Sequence, residues 1–421
     1  MDSTISLKNA LRQTLSDKVI ALTILVSALG YFVDVFDLLL FSIVRIQSLK
    51  DLGVAEADLL AVGIRLLNTQ AAGLLVGGIV WGMLADKYGR VSVLFGSILL
   101  YSIANIGNGF VTSIDQYAVW RFISGFGLAG ELGIGVTLAS ELLPRAVRGI
   151  GTTLIVSFGL LGSGTAVLMT YVVNWHTAYI IGGVLGLCLL VLRLKVRESG
   201  LYRKVEKEKK TIKRGSFWMF LRKAELLRRY ITVVLIGVPI WAVMGIPITF
   251  TSEFAKDFGM AVLPNTGIAI LFCQVGVSFG AICAGVLSQN LRSRRKAITI
   301  FLVLMLFFVS LFTALRPQSP HLYYLLCALI GIGTGYWGLT VQIGAEQFGT
   351  NLRATAAASI PNMIRGCAIP MTTGFHALVP YMGVAHSGFA VVIATGLLAF
   401  IALWRVRETF HTDLDYIDGL E

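Results

Sequence analysis

The fold is decided by one charged stretch, Gly82-Met83-Leu84-Ala85-Asp86-Lys87-Tyr88-Gly89-Arg90-Val91. A long apolar run lies on each side of it. Apolar runs of about 20 residues are long enough to cross a bilayer as helices. The stretch is therefore predicted to be a tight loop between two membrane-spanning helices and not the surface turn of a soluble domain.

The composition of the chain also points to the membrane. Of its 421 residues 56% are hydrophobic and 14% are charged, whereas average soluble domains carry about 25% charged residues. The net charge of +12 would suggest nucleic acid as the partner of a soluble protein. Here the basic residues lie between apolar runs, where membrane topology explains them, so no nucleic-acid partner is expected. The five cysteines lie inside apolar runs without metal-ligand spacing, so no metal or cofactor is expected.

Twelve apolar runs are each long enough for one membrane-spanning helix, which predicts an all-α integral membrane fold. They cover residues 18–45, 60–85, 91–111, 116–142, 148–173, 176–196, 229–254, 264–289, 296–315, 321–345, 353–378 and 384–405. The predicted domains are an N-terminal six-helix bundle (1–196), a connector (197–228), a C-terminal six-helix bundle (229–406) and a tail (407–421).

Lysine and arginine are distributed unevenly among the loops. The turns after the odd-numbered helices contain few of them, whereas the opposite side carries Lys87 and Arg90, the connector, and later Arg292 and Arg294. By the positive-inside rule both termini are expected in the cytoplasm, with the helices in a bacterial inner membrane. Segment 217–227 of the connector is either an amphipathic helix on the inner leaflet or a solvated linker.

The two halves of the chain repeat each other. Segment 141–149 recurs as 346–354, with an acid first and an arginine near the end of both copies. Duplicated six-helix halves around a central site are how many secondary transporters are built. The charges near the cytoplasmic surface are predicted to form a latch that holds the inner side shut. Its predicted members are Asp86, Arg90, Glu141, Arg148, Glu346 and Arg353.

Two acids of helix one are the first candidates for chemistry within the membrane. A charged side chain at mid-helix costs about 2.5–3.5 kcal/mol on insertion scales, so each needs a partner or a water-filled cavity. Asp34, Asp37 and Tyr31 are spaced to share one helical face. Of two such close carboxylates, one is expected to bind a proton unless a cation is nearby.

Arg121 of helix four is such a cation. A carboxylate that an arginine approaches and leaves can couple proton movement to conformation. The alternative is a permanent Asp37–Arg121 ion pair, or an Asp34–Arg65 ion pair, that only holds helices together.

Two further charges are predicted to lie near mid-membrane. Glu131 is either a second protonation site or a carboxylate hydrogen-bonded at a packed helix interface. Arg365 lies roughly 18 Å along helix eleven at helical rise. Its guanidinium is suited to bind a carboxylate or phosphate, or it pairs with an acid of the first half such as Glu131. The other predicted substrate-binding residues, for each of which plain packing is an alternative, are Asn362, Tyr31, Arg65, Trp241, Gln274, Tyr336, Trp337 and Gln342.

Four motifs resemble those of the major facilitator superfamily. The opening stretch is similar to the Gly-x-Leu-Ala-Asp-x-x-Gly-Arg signature between helices two and three of that family. Arg121–Gly127 resembles the helix-four motif of proton-coupled facilitators. Glu141–Gly149 resembles an element of sugar porters and metabolite:proton symporters. Asp34–Asp37 is similar to the helix-one Asp-x-x-Asp of aromatic-acid and related organic-acid:proton symporters.

This resemblance implies two six-helix bundles in pseudo-two-fold arrangement. It also implies that Asp37 and Arg121 couple protons, because the matching residues of sugar-porter-like proteins do so.

The expected function is secondary active transport and not catalysis. The predicted protein is a monomeric proton-coupled symporter that takes up a small organic anion or polar metabolite by alternating access, with protons as the coupling ion. The alternative is a proton-driven exporter of drugs or metabolites, although segment 157–165 of helix five lacks the Gly-Pro pair that such exporters usually carry. A non-transporting membrane sensor would be expected to lack the central charges.

Overall fold

The computed structural model describes residues 18–131, 148–193, 217–349 and 352–410. Within these ranges every long element is an α-helix, so the all-α prediction is confirmed. The helices of the N-terminal half are Lys18–Asp51, Leu59–Tyr88, Arg90–Asn108, Ile114–Leu128, Arg148–Val172 and Trp175–Arg193. They are helices one to six in chain order.

The C-terminal half repeats this pattern with more breaks. Helix seven is Ala224–Val243, followed by a π-helical turn at Met244–Ile248 and an outer piece at Thr251–Asp257. Helices eight and nine are Thr266–Asn290 and Arg294–Leu315, and helix ten is Pro320–Thr334 continued by Trp337–Glu346. Helix eleven begins as Arg353–Gly366. The segment Ala368–Arg405 is divided at Gly383, where φ is 76°, into the rest of helix eleven and helix twelve.

Eight segments of the described residues are long and apolar enough to cross a membrane. One of them, Thr355–Arg405, has 51 residues and is folded back at Gly383 as two helices. The eight segments thus contain nine helices. The shorter apolar helices at Ser92–Asn108 and Leu161–Val172, together with helix four, make up the twelve that the hydropathy predicts. We call the end at which helix one finishes the outer end, and the opposite end the inner end.

Close helix packing within each half depends on glycine. A Cβ on Gly73 of helix two would lie 2.2 Å from the Phe122 carbonyl oxygen of helix four. A Cβ on Gly276 of helix eight would lie 2.0 Å from the Ala328 carbonyl oxygen of helix ten. Both distances are far below van der Waals contact. Helix pairs two–four and eight–ten therefore approach backbone to backbone, as small residues allow in membrane bundles.

The two halves meet along helices two and eleven. Thr372 donates a hydrogen bond of 2.6 Å to the Asn68 side chain. Nearer the inner end, Asn362 Nδ2 donates to the Ala129 carbonyl oxygen of helix four at 2.7 Å. Helices five and eight form a second contact between the halves. A central site between the halves is therefore enclosed by helices of both repeats.

Two predicted boundaries are wrong. Helix one was predicted to end at 45, but it continues to Asp51 because Arg45 is buried and paired and does not mark the end of the span. Helix seven begins at Ala224 instead of 229. In the segment before it, predicted as an amphipathic helix or a solvated linker, Trp218–Arg222 forms a short helix with Trp218 exposed. Phe220 is buried, with its ring 5.1 Å from the rings of Tyr230 and Phe348. This segment therefore packs on the C-terminal half.

Candidate functional site

A buried ion pair joins the two halves of the transporter. Arg365 Nη2 of helix eleven donates to Asp34 Oδ2 of helix one at 3.1 Å, and the side chains are 3% and 0% exposed. Nε and Nη1 of Arg365 and Oδ1 of Asp34 have no hydrogen-bond partner among the described residues. Unpaired donors on a buried cation are costly. The guanidinium therefore has the capacity to bind a further acceptor.

Aromatic side chains surround this ion pair. Arg365 Cζ lies 5.4 Å from the Trp241 ring centroid, a cation–π contact. Trp337 meets Trp241 edge to face at 6.3 Å between centroids, and it lies against the Tyr31 hydroxyl. The indole Nε1 of Trp241 has no partner in the described part of the chain. Few polar groups within an aromatic wall are typical of small-molecule sites. Tyr31, Trp241 and Trp337 thus lie close to Arg365, and their part in substrate binding stays a prediction.

Asp37 lies three residues from Asp34 but forms no ion pair with Arg121 in this structure. It is buried, and neither carboxylate oxygen has a hydrogen-bond partner among the residues described. Arg121 instead donates to Gln70 Oε1 and, at 3.5 Å, to the Tyr179 hydroxyl. Its guanidinium also lies 4.1 Å from the Phe41 ring centroid. The polar and aromatic groups beside Arg121 thus take the place that the resemblance assigns to Asp37.

Two predicted pairs, Arg365–Glu131 and Asp34–Arg65, do not form, whereas Glu131 is hydrogen-bonded at a helix interface, as one predicted alternative states. Glu131 forms a buried ion pair with Arg193 of helix six and not with Arg365. Arg193 is a functional candidate that the sequence analysis missed, because it stands near the end of the sixth apolar run, two residues before Lys195. Arg65 pairs with Asp115 at 2.8 Å and not with Asp34. Both of those side chains are exposed at the outer end, so this arginine does not belong to the cluster around Arg365.

The remaining predicted substrate residues have separate positions. Asn362 uses its amide nitrogen to bridge the halves, and its Oδ1 has no partner within the described ranges. Tyr336 is fully buried and donates to the Ile236 carbonyl oxygen at 3.3 Å, so it packs within the C-terminal half. Gln274 is half-buried and Gln342 is exposed. No described hydrogen bond connects either glutamine to Arg365.

The outer end is closed by contacts between helices one and seven. Arg45 binds Glu253 at 2.7 Å, with side chains 1% and 15% exposed, and lies 4.6 Å from the Phe250 ring centroid. Ser42 and Thr249 are hydrogen-bonded at 3.2 Å one turn deeper. Arg45 is the second residue that the sequence analysis missed, because it stood at the edge of the first apolar run.

The predicted inner latch is described only in part. Glu141 lies outside the described residues, as do the side chains of Asp86, Arg90, Arg148 and Arg353. Glu346 accepts two hydrogen bonds of 2.7 Å from Arg294 and one of 2.6 Å from Thr409. These partners of Glu346 all belong to the C-terminal half. The latch between the halves stays a prediction.

Glu408 caps the N-terminus of helix nine at the inner end. It accepts hydrogen bonds from the Ser293 hydroxyl and from the backbone amides of Arg294 (3.1 Å) and Arg295 (3.3 Å). Burial raises the pKa of Glu408, but these hydrogen bonds outweigh it and hold the pKa below its usual value. The described residues after helix twelve, 406–410, are thereby fixed to the C-terminal half.

Comparison with known proteins agrees with this architecture. The niacin transporter NiaP of Acinetobacter baylyi is 26% identical over 90% of this chain and 91% of its own. The sialic acid transporter NanX of Escherichia coli is 26% identical over 89% and 91%. The structure of the proton:xylose symporter XylE of E. coli bound to 6-bromo-6-deoxy-D-glucose superimposes with a TM-score of 0.70 at 17% identity, covering 94% of this chain and 98% of that one.

The sequence model of the Major Facilitator Superfamily matches residues 20–369. The twelve helices, the repeated halves and the buried charges at their interface agree with that match. The chain therefore belongs to the major facilitator superfamily, as a multi-pass membrane transporter and not an enzyme.

Proposed function

We propose that the protein is a proton-coupled symporter that takes up a small carboxylic acid by alternating access. The observation that carries this proposal is Arg365, a buried guanidinium between the halves with two nitrogens unpaired among the described residues. A carboxylate is the planar acceptor that such a fork binds most specifically.

The aromatic surroundings and the relatives support the same substrate class. Trp241, Trp337 and Tyr31 offer flat apolar faces beside the guanidinium. Niacin and sialic acid, the compounds in the names of two relatives, both carry a carboxyl group. A substrate with one carboxylate and a compact, flat or polar body fits these groups.

The proton-coupling residues proposed are Asp34, Asp37, Arg121 and Glu131. All four are buried, Asp34 and Asp37 in helix one, Arg121 in helix four and Glu131 just after the end of helix four. Asp37 is the proposed carrier of the proton through the N-terminal half, because both its oxygens lack a partner in the described part of the chain. Arg121 would attract Asp37 when the helices rearrange, which favours release of that proton.

The proposed topology has both termini and the connector in the cytoplasm, so the outer end faces the periplasm. The positive residues of the inner loops support this orientation. The transporter is proposed to act as a monomer, with protons as the only coupling ion. The inner latch of charges between the halves is proposed to alternate with the Arg45–Glu253 contact at the outer end.

Proteoliposomes loaded at pH 8 and diluted to pH 6.5 test the proposal with radiolabelled nicotinate, benzoate and sialic acid. Each pH unit supplies about tenfold accumulation per proton carried. At least one acid is expected to be concentrated, and Arg365→Ala is expected to abolish that uptake. Arg65→Ala, which removes an exposed arginine at the outer end of helix two, is the control and is expected to retain it. Concentration of none of these acids under the gradient would contradict the proposal.

A further inference from the structure

We infer that Asp34 is an internal competitor for Arg365, so that an anionic substrate binds only as Asp34 releases the guanidinium and takes up one proton. This inference rests on the proposed function and specifies how many protons are bound at the substrate site when the substrate binds. Before binding, the site contains one carboxylate and one guanidinium. Afterwards it contains a neutral Asp34 carboxylic acid and the guanidinium paired with the substrate carboxylate. One proton is therefore bound per carboxylate, and the net charge of the site does not change.

The geometry of the pair favours displacement. An arginine can bind a carboxylate through two hydrogen bonds in two ways, with Nη1 and Nη2 or with Nε and Nη2. Nη2 takes part in both arrangements. Asp34 uses this nitrogen through a single bond of 3.1 Å. Arg294 and Glu346 of the same protein form the two-bond arrangement, with both bonds at 2.7 Å. A substrate carboxylate that is free to orient can form two bonds where Asp34 forms one.

The groups around Asp34 favour protonation of its carboxylate once the substrate has displaced it from Arg365. The charged and titratable side chains around the Asp34–Asp37 face come from helices one, three, four, six and eleven. They are Tyr31, Tyr101, Arg121, Glu131, Tyr179, Arg193 and Arg365.

Of the three arginines, two are already engaged. Arg193 is paired with Glu131, and Arg121 is bound to Gln70 and Tyr179. Arg365 is thus the cation on which Asp34 depends in the described structure. An Asp34 carboxylate that kept its charge after losing Arg365 would be buried beside the substrate carboxylate, which the low dielectric strongly disfavours.

The test measures binding and proton uptake together in the purified protein. Nicotinate, benzoate and sialic acid serve as anionic probes between pH 6 and pH 8, and nicotinamide is the uncharged match for nicotinate. Binding is followed by tryptophan fluorescence, because Trp241 contacts Arg365. Proton uptake is followed with an indicator dye in weakly buffered solution.

For an acid that binds, the unmodified protein is expected to take up close to one proton per bound molecule at pH 8. Its Kd should rise up to tenfold per pH unit across the upper part of the range. Asp34→Asn is expected to bind the same acid with a Kd nearly independent of pH and with no proton uptake. Asp37→Asn is expected to retain the uptake of a proton when the acid binds. Nicotinamide should cause no proton uptake in any variant.

Several outcomes would overturn the inference and leave the proposed substrate class intact. One is binding of an acid to the unmodified protein at pH 8 without proton uptake, a result that needs no variant to fold. Another is uptake that is retained in Asp34→Asn and lost in Asp37→Asn. Binding of no acid at any pH would instead refute the proposed function, and the inference with it.

Discussion

Neutralising Glu253 is expected to open the outer end of the transporter. In the structure Glu253 of helix seven binds Arg45 of helix one at 2.7 Å, and these helices belong to different halves. Alternating access requires this contact to break whenever the outer end opens. Glu253→Gln weakens the contact in the outward-closed state alone, so the population of outward-open protein should rise.

The size of the effect follows from burial. Removing one partner of a fully buried ion pair costs about 3–5 kcal/mol. Glu253 is 15% exposed, and glutamine can keep one hydrogen bond to Arg45, worth about 1 kcal/mol. A net loss of about 2 kcal/mol from the closed state corresponds to a roughly 30-fold shift in the equilibrium. Glu56–Lys256 has the same 2.7 Å separation, but its side chains are 65% and 51% exposed. Because solvent screens this second pair, Glu56→Gln is the matched control and should shift the equilibrium little.

Pulsed electron paramagnetic resonance can measure the shift through spin labels at Asp58→Cys and Val262→Cys. Asp58 lies at the outer end of the N-terminal half, and exposed Val262 lies on the outer loop of the C-terminal half. Replacing exposed Cys188 with serine limits background labelling. Glu253→Gln should add a longer-distance population that Glu56→Gln does not add. Identical distance distributions in both variants would refute the reasoning that the buried pair holds the outer end shut.

Three further predictions concern coupling, packing and the inner end. Asp37→Asn should abolish uptake driven by a pH gradient while exchange of substrate across the membrane survives, and undiminished driven uptake would exclude Asp37 as the proton carrier. Gly276→Ala should destabilise the protein by about 1–3 kcal/mol in thermal unfolding, because its Cβ would overlap a carbonyl of helix ten; Gly285→Ala on the same helix, where a Cβ meets nothing within 4 Å, should not. Glu408→Gln should lower Tm at pH 7, since the pKa of Glu408 is lower in the folded protein and its stabilisation is present above the ordinary pKa of about 4.3. That difference from the unmodified protein should vanish as the pH falls through the lowered folded pKa, and equal Tm values for the two proteins at pH 7 would argue against the helix-nine contact.

Hydropathy and the motifs predicted the number of helices and their division into halves, because the bilayer imposes a length and an apolar composition on each span. They did not predict which charges meet. Arg45 was treated as the end of a span, since its partner Glu253 is 208 residues away and no local pattern reveals it. For Arg365 one predicted alternative was a pair with an acid of the first half, but the acid named was Glu131 and the partner is Asp34, 331 residues away.

Family resemblance had a similar limit at Arg121. The motif identified it as a buried cation, and it is buried. Its partners here are Gln70 and Tyr179 and not Asp37. Motifs conserve a type of side chain at a position, whereas the partner depends on which helix faces meet in a given conformation. The role of Asp37 and Arg121 in coupling therefore stays a prediction.

The break in helix seven gives the outer ion pair a mechanical link to the central site. The helix loses its regular geometry from Met244 to Phe250, and its outer piece continues to Asp257. Asp257 accepts hydrogen bonds from the Val384 and Ala385 amides at the start of helix twelve. The outer piece of helix seven is thus joined to the rest of the helix through the break, and its far end is hydrogen-bonded to helix twelve. We therefore expect a displacement of Trp241, just before the break, to be passed through the outer piece to the start of helix twelve.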